Sequence, residues 1–382
     1  MTYSVTEVSH SRQMKDFLNL PFIIYRYDTN WVPPVTSEVR RILDERLNPY
    51  FSNAQLKLFV CYKDGAIVSR IAVVINRLHY QKFGIKSAFF GFFESIEDPD
   101  AVYTLIDEVE RFCISQGIEL IEGPFNPNHY SELGLQVNQF GTPPTFFQTY
   151  NPDYYCKLLE GAGFYISARF HTRKNESVRE YILQRYRTNT IPVAPDGYTV
   201  RSFSMRNIET ELECIREVNN DAFSSNWHFL PLSKEEYLFS AKFLSLVTYP
   251  ELIKIVEHHG RPVGVLHCVL DINPLLKRMG GKVGPISYIK FHRDRKKIRK
   301  FIIYSVAIKK AYQRTIVYRL LLNALCEITL KFGFQFIETT WMSEENTSAI
   351  KASEHLGLKP DKQFAIYEKT MKGEKDGKSI AS

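Results

Sequence analysis

The feature that most constrains this chain is that it can be laid against itself. YKDGAIVSRIAVVIN (62–76) and EHHGRPVGVLHCVLDIN (257–273) share one build, a glycine turn followed by a β-branched, part-alternating strand, which is the signal of a hairpin. Placing Gly65 on Gly260 sets an offset of about 195 residues. Near the end of each half, NPDYYCKLLEGAGF (151–164) and NTSAIKASEHLGL (346–358) each read as a short helix closed by glycine, then a strand, at an offset of about 194. A third pair lies between them. Val102, Leu105, Ile106, Val109, Phe112 and Cys113 form one helix face before Gly117 and IELIE. Val317, Leu320, Leu321, Ala324, Ile328 and Phe332 form a matching face before Gly333 and FQFIE, at an offset of about 216. These registers agree if the second half carries an insert (272–300) before its helix and the first half one (127–150) after its strand. A duplicated unit is the reading that satisfies all three.

Each half then runs strand, helix or helices, hairpin, strand, helix, strand, helix, strand. In the second half the pattern predicts strands at 198–203, 252–259, 262–270, 301–308, 334–341 and 364–369. Its helices fall at 206–223, 233–244, about 313–332 and from Asn346. The class is α+β, with two tandem domains at 1–190 and 196–371, a linker at 189–197 rich in turn residues, and a tail at 372–382 expected to be disordered. The length of 382 residues suits two domains.

Composition removes several classes. With 44% hydrophobic and 24% charged residues the chain is neither disordered nor fibrous. No apolar run approaches the roughly 18 residues of a membrane span, and the N-terminus lacks the basic-then-apolar plan of a secretory signal, so a soluble cytoplasmic protein is expected. The net charge of +7 permits anionic partners without demanding one. Cys61, Cys113, Cys156, Cys214, Cys268 and Cys326 stand singly, with no C-x-x-C pair, and read as reduced thiols. The histidines lack metal-ligand spacing, so no metal is expected. Nucleic-acid binding is not expected either, because no aromatic residues interleave with the charged runs.

The element order, seen twice, resembles the GNAT (GCN5-related N-acetyltransferase) superfamily. WVPP (31–34), FFGFFES (89–95), EGPFNPN (122–128), NPDYY (151–155), NWHFLP (226–231), DINP (271–274), WMSEEN (341–346) and IYEK (366–369) are similar to motifs of a bacterial family of tandem GNAT proteins, over nearly the whole chain. The resemblance implies two acyl-CoA N-acyltransferase-like domains related by duplication, each a mixed, centrally splayed sheet flanked by helices.

It also implies a chemistry. An amine attacks the thioester of an acyl-CoA or acetyl-CoA, and the protein aligns both partners and accepts a proton. The pantetheine arm would lie between the strands at 301–308 and 334–341, along Val306, Ala307 and Ile308. The diphosphate would sit at the following helix N-terminus on Gln313, Arg314 and Thr315, with Asn346 nearby. The family's turn, Q/R-x-x-G-x-G/A, is altered here: Ile316 and Tyr318 stand where glycines are expected and should crowd a diphosphate, which predicts weak binding of the CoA. In the first half, EDPDAV (97–102) places three carboxylates at the equivalent helix start. The run KFHRDRKKIRK (290–300) would lie beside the donor gap, where Lys296, Lys297 and Arg299 would engage CoA, an acyl carrier protein or anionic lipid in peripheral membrane contact.

Candidate general bases are Glu338, Glu344 and Glu345, at or just past the end of the strand at 334–341; Glu344 or Glu345 would equally cap the next helix. The tyrosine that the family places on the last helix as general acid falls here at Ser353, and at Leu159 in the first half, so Tyr367, Tyr304 and Tyr318 are the substitutes. Asn226, Trp227, His228 and Trp341 are the expected acceptor-binding residues. The function implied is N-acyl transfer from a CoA or carrier-protein thioester to a primary amine in the second domain. The alternatives are long-chain acylation of a lipid amine such as a sphingoid base, and a non-catalytic binding protein with this fold.

Overall fold

The computed structural model describes residues 1–186, 194–282 and 284–371, so the expected linker lies partly, and the expected tail wholly, outside the described residues. The first half begins with β1 (Tyr3–Glu7), α1 (Ser11–Ile24), α2 (Thr36–Ile42), the hairpin β2 (Ala54–Lys63) and β3 (Ala66–Asn76), and α3 (Arg77–Phe83). It continues with β4 (Ser87–Ser95), α4 (Pro99–Ser115) and β5 (Leu120–Gly123). Three short strands follow, β6 (Phe125–Asn126), β7 (Glu132–Leu133) and β8 (Leu135–Gln136), then α5 (Tyr154–Gly161), β9 (Tyr165–Asn175) and α6 (Val178–Tyr186).

The second half repeats the plan with β10 (Tyr198–Ser202), α7 (Ile208–Ala222), α8 (Lys234–Val247), β11 (Ile253–His258) and β12 (Arg261–Leu270). Its insert forms α9 (Asn273–Met279) and α10 (Pro285–Asp294). It closes with β13 (Lys300–Ile308), α11 (Val317–Phe332), β14 (Phe336–Thr339), β15 (Met342–Ser343), α12 (Thr347–Glu354) and β16 (Lys359–Thr370). The helix expected from about 313 starts at Val317, because Arg314 turns with φ +62 and breaks the helical path.

Local signals set the element ends. Asp98 caps α4 ahead of Pro99, and Asn346 caps α12 by accepting from Ala349 N–H at 3.0 Å. Gly84 and Gly333 close α3 and α11 in the left-handed conformation. The apolar face of α11, with Val317, Leu320, Leu321, Ala324 and Ile328 buried, packs on β11 and β12. Each such leucine or isoleucine contributes about 1.5–3 kcal/mol by leaving water.

The strands form one 14-stranded sheet in the order β1-β2-β3-β4-β5-β16-β9-β14-β13-β12-β11-β10, with β15 added beside β9 and β8 beside β16. The two halves therefore exchange their last strands. The final strand of the second half, β16, pairs with β5 through Tyr367↔Gly123, and the final strand of the first, β9, pairs with β14 through Ile337↔Asn175. The antiparallel β9–β16 pair lies at the centre. The halves before 190 and after 196 are thus joined through one continuous sheet.

Both halves splay. In the second, β13 and β14 run parallel only from Lys300↔Phe336 to Ile303↔Thr339, and Thr340 N–H closes the pairing on Ile303 O at 3.1 Å. Past that point β13 continues to Ile308 on β12 alone, while the other chain turns away to pair Met342 and Ser343 with His171 and Phe170 of β9. In the first half β4 and β5 part after Phe89↔Glu122. There the gap is filled by the chain itself: Asn126 Oδ1 accepts Phe92 N–H at 2.7 Å, and a Cβ on Gly91 would meet Phe125 O at 1.7 Å.

Candidate active site

The open gap of the second half leads into a cavity of about 1420 Å³ lined by both halves of the chain. One wall is the free edge of β13, from Ile303 to Val306 and Ile308, with Thr340 and Trp341 opposite. Ala307 points away, buried under α7 with Ile215 and Val218. Next to this wall the start of α11 offers Gln313, Arg314 and Thr315, and with them Arg319, Lys351 and His355. The first-turn N–H groups of a helix lack helical acceptors, and with these cations the position favours an anion. Ile316 packs into the core rather than into the cavity, and Tyr318 leans on α12, donating to Ala352 O at 3.2 Å with His355 Nδ1 at 2.9 Å. The expected crowding by these two side chains does not arise from Ile316. Arg319 and Lys351 were not among the expected residues; their only sequence signal is a cation one turn into each of two helices, which needs the fold to become a pair.

The opposite wall is aromatic and comes largely from the first half and from the segment after α7. Trp341 meets Phe170 edge-on at 5.6 Å, Phe170 contacts Trp227 at 5.5 Å, and Trp227 contacts His129 at 5.8 Å between ring centroids. Asn226 lines the same space. Behind Trp227 lies a cluster that sequence spacing hides. His228, held at φ +50, places Nδ1 2.6 Å from His79 Nε2 and Nε2 3.1 Å from the buried Glu122. His79 Nε2 and His228 Nδ1 share one proton between the two rings, and His79 Nδ1 is buried with no hydrogen-bond partner among the described residues. Burial, and then the neighbouring His228, push His79 down to about 3; burial drives His129 well below its usual range. Three imidazoles from α3, the 127–131 segment and the segment after α7 converge here only through tertiary contacts.

The carboxylate candidates separate. Glu338, 1% exposed, does not line the cavity: Lys300 Nζ lies 2.7 Å from it, Thr145 Oγ1 donates at 2.7 Å, and Gln148 Nε2 also donates. Burial alone would raise it, but Lys300 and these donors bring it below the usual carboxylate range. It joins the halves instead of facing substrate. Beside it, burial lowers Lys362 to about 8. Glu344 and Glu345 are both exposed, and Glu345 lines the cavity at the α12 end near Asn346.

Tyr367 is misplaced by the sequence reading. Strand exchange carries it into the first half's sheet, where its hydroxyl donates to Glu160 at 3.4 Å, away from the cavity. Ser353 Oγ donates to Ile350 O at 2.6 Å, and Tyr304 lines the cavity together with Tyr318. The basic segment is also misplaced. Lys296, Lys297 and Arg299 precede β13 and so lie beyond its far end, opposite to the splay; none lines the cavity. Lys297 pairs with Asp294 at 3.4 Å, and Arg299 donates to Lys296 O at 3.2 Å.

Two splayed parallel pairs, each followed by a helix or strand exchange about a central antiparallel pair, define a tandem GNAT fold, and this chain has that fold. Solved structures agree: a tandem GNAT protein from the clavulanic acid biosynthesis pathway matches with a TM-score of 0.57 at 11% identity, covering 97% of this chain and 99% of that one. A GCN5-related N-acetyltransferase from Sphaerobacter thermophilus matches with a TM-score of 0.52 at 13% identity, over 97% and 96% of the two chains. No protein-family model matches the sequence. Among sequence relatives, a protein named bacterial ceramide synthase from Caulobacter vibrioides is 27% identical over 377 residues, covering 96% of this chain and 97% of its own. Protein YghO of Escherichia coli is 25% identical over 373 residues, covering 94% and 93%. The solved structures share the fold, and both sequence relatives align over nearly the whole of this chain. Among the described residues no helix is long and apolar enough to cross a membrane, and no group of side chains is arranged to hold a metal.

Proposed function

We propose that this protein transfers a long acyl chain from an acyl thioester to the primary amine of a lipid, a sphingoid-type base. The observation that carries the reading is the open gap of β13 and β14 leading into an aromatic-walled cavity larger than the roughly 300–1,000 Å³ of ordinary small-ligand pockets. An acetyl group needs little of that volume; two alkyl chains fill it. The full-length similarity to a protein named for ceramide synthesis points the same way, since a ceramide is an N-acylated sphingoid base.

The donor's pantetheine arm would lie along β13 from Tyr304 to Ile308, pairing with backbone groups that have no strand partner on that side. Its diphosphate would rest at the start of α11 among Arg314, Arg319 and Lys351. Trp341, Phe170 and Trp227 would wall the acyl and acceptor chains. Tyr304 or Tyr318, each pushed up to about 12 by burial, would protonate the leaving thiolate. The test is direct: purified protein with palmitoyl-CoA and sphinganine should release free thiol and an equimolar amide detected by mass spectrometry. No amide from palmitoyl-CoA or from a palmitoyl carrier protein between pH 7 and 9 would overturn the reading.

A further inference from the structure

A primary ammonium entering this aromatic chamber needs a counter-charge and then a proton acceptor. Five carboxylates line the cavity, and four are accounted for. Glu38 is gripped by Arg41, and Glu94 by Arg70 at 3.7 Å with Tyr25 and Tyr155 donating at 2.9 and 2.7 Å. Glu236 accepts Ser233 N–H at 2.7 Å at the start of α8, and Glu345 is exposed at the start of α12. Glu132 remains. It stands on β7, opposite Asn126 in the hairpin that fills the first half's gap, and forms no ion pair among the described residues. Its neighbour Leu133 packs in the same cluster as Phe92, Phe170 and Trp341, and Glu132 itself lines the cavity that the free edge of β13 also lines. Burial, partly offset by the Asn126 side chain, raises it to about 7, where a carboxylate exchanges protons readily near neutrality.

We propose that Glu132 receives the acceptor's ammonium and takes its proton, so that the first half supplies the base for a thioester held by the second. This rests on the acyl-transfer reading. The ammonium gives one proton to the Glu132 carboxylate, and the freed nitrogen lone pair attacks the thioester carbon. The C–N bond forms and the C–S bond breaks; Tyr304 or Tyr318 gives its proton to the thiolate, which leaves as thiol, and is restored by the second nitrogen-bound proton, while Glu132 returns its proton to water.

The experiment compares wild type with Glu132→Gln in two measurements. Calorimetry with sphinganine and with an uncharged alcohol of equal chain length should show the amine weakened at least tenfold and the alcohol unchanged. Turnover with palmitoyl-CoA should fall about 10²–10⁴-fold, with thermal stabilisation by palmitoyl-CoA retained as the measure of an intact donor site. Equal amine affinity, or turnover within threefold of wild type, overturns the proposal. A wild-type chain that binds amine through Glu132 yet acylates nothing removes the base role and the acyl-transfer reading, and leaves only the ammonium site.

A second inference stands on a separate observation. On α10, Ile286 and Ile289 are 70% and 69% exposed, and they share a helix face with Lys290 and Arg293. Lys296, Lys297 and Arg299 extend the charge past its end, where Asp294 is already engaged by Arg293 and Lys297. We infer that this face docks on an anionic membrane surface, the isoleucines entering the interface and the cations meeting headgroups. Vesicles of phosphatidylcholine with 30% phosphatidylglycerol should pull down the full chain at low salt, while neutral vesicles or high salt should not. Ile286→Glu with Ile289→Glu should cut that binding at least tenfold without altering CoA affinity. Undiminished binding by that variant overturns the inference, as does capture by an acidic carrier protein in preference to vesicles.

Discussion

The two halves open the same pair of strands and use the opening differently. In the first, Asn126 and the Phe125 carbonyl occupy the gap, and Asp98 sits at the start of the next helix, salt-bridged to Lys63 at 2.7 Å and accepting from Tyr3 at 2.9 Å. A carboxylate already fills the place that a diphosphate would take. In the second, the corresponding gap opens into the cavity past the Thr340 hydroxyl, which donates to Tyr304 O at 3.1 Å, and the helix start carries Arg314, with Arg319 and Lys351 close by. Duplication thus supplied one copy that became a wall and one that kept an opening. The repeat-equivalent carboxylates tell the same story, since Glu122 meets His228 of the second half and Glu338 meets Thr145 and Gln148 of the first. Each of these buried carboxylates has a polar neighbour across the junction, with Lys300 of its own half also pairing Glu338, which ties the copies into one unit.

The sharpest way to break this contrast is to reverse the charge at the open end. Arg319→Glu combined with Lys351→Glu should weaken CoA about 10²–10³-fold by calorimetry, because each charge-assisted phosphate contact is worth roughly 1.5–3 kcal/mol. Unchanged affinity would move the donor out of this gap. A smaller effect separates the plug from the opening. Gly91→Ala forces a Cβ against Phe125 O and should cost about 1–3 kcal/mol of stability, read as a lower denaturation midpoint. Ser305→Ala, on the free edge of β13, removes a buried hydroxyl with no partner and should leave the midpoint within about 0.5 kcal/mol or raise it. Similar losses at both positions would mean that the gaps are equally closed.

The imidazole cluster makes a pH prediction. Folded His79 and His129 stay neutral where the unfolded chain, with histidines near 6.5, takes up protons; Glu122, His228 and Lys82 are the charged or titratable groups around them. Unfolding therefore binds protons below about pH 6.5, and stability should fall as pH drops from there toward 4, by up to about 1.4 kcal/mol per pH unit for each group. His79→Phe should flatten the slope measured by urea titration; an unaltered slope would place the proton uptake elsewhere. The smallest effect is expected at the basic segment. Lys296, Lys297 and Arg299 changed together to alanine should leave CoA affinity within twofold, in contrast to Arg319 and Lys351.

Much of this was legible in the chain. The glycine-closed helices and apolar faces carried the repeat, and Gly117 and Gly333 marked the turns into both splayed strands. Trp227, Trp341, Asn226 and the Gln313–Thr315 segment reach the cavity from motifs that could be picked out by type. Tyr367 could not be placed, because its strand pairs with a partner more than 240 residues away in sequence. The basic run misled for a related reason: proximity in sequence to β13 says nothing about which end of that strand opens.

By itself the sequence determined the periodicities, caps and turns, since these depend on neighbours within a few residues, and through them the duplicated α+β plan. Only the tertiary structure decided which gap stayed open, where β9 and β16 went, and that Glu132, His129 and Trp227 share one chamber with β13. Those outcomes depend on steric exclusion and charge burial between segments brought together from distant parts of the chain, and no local pattern encodes which of two similar copies will supply the filling and which the space.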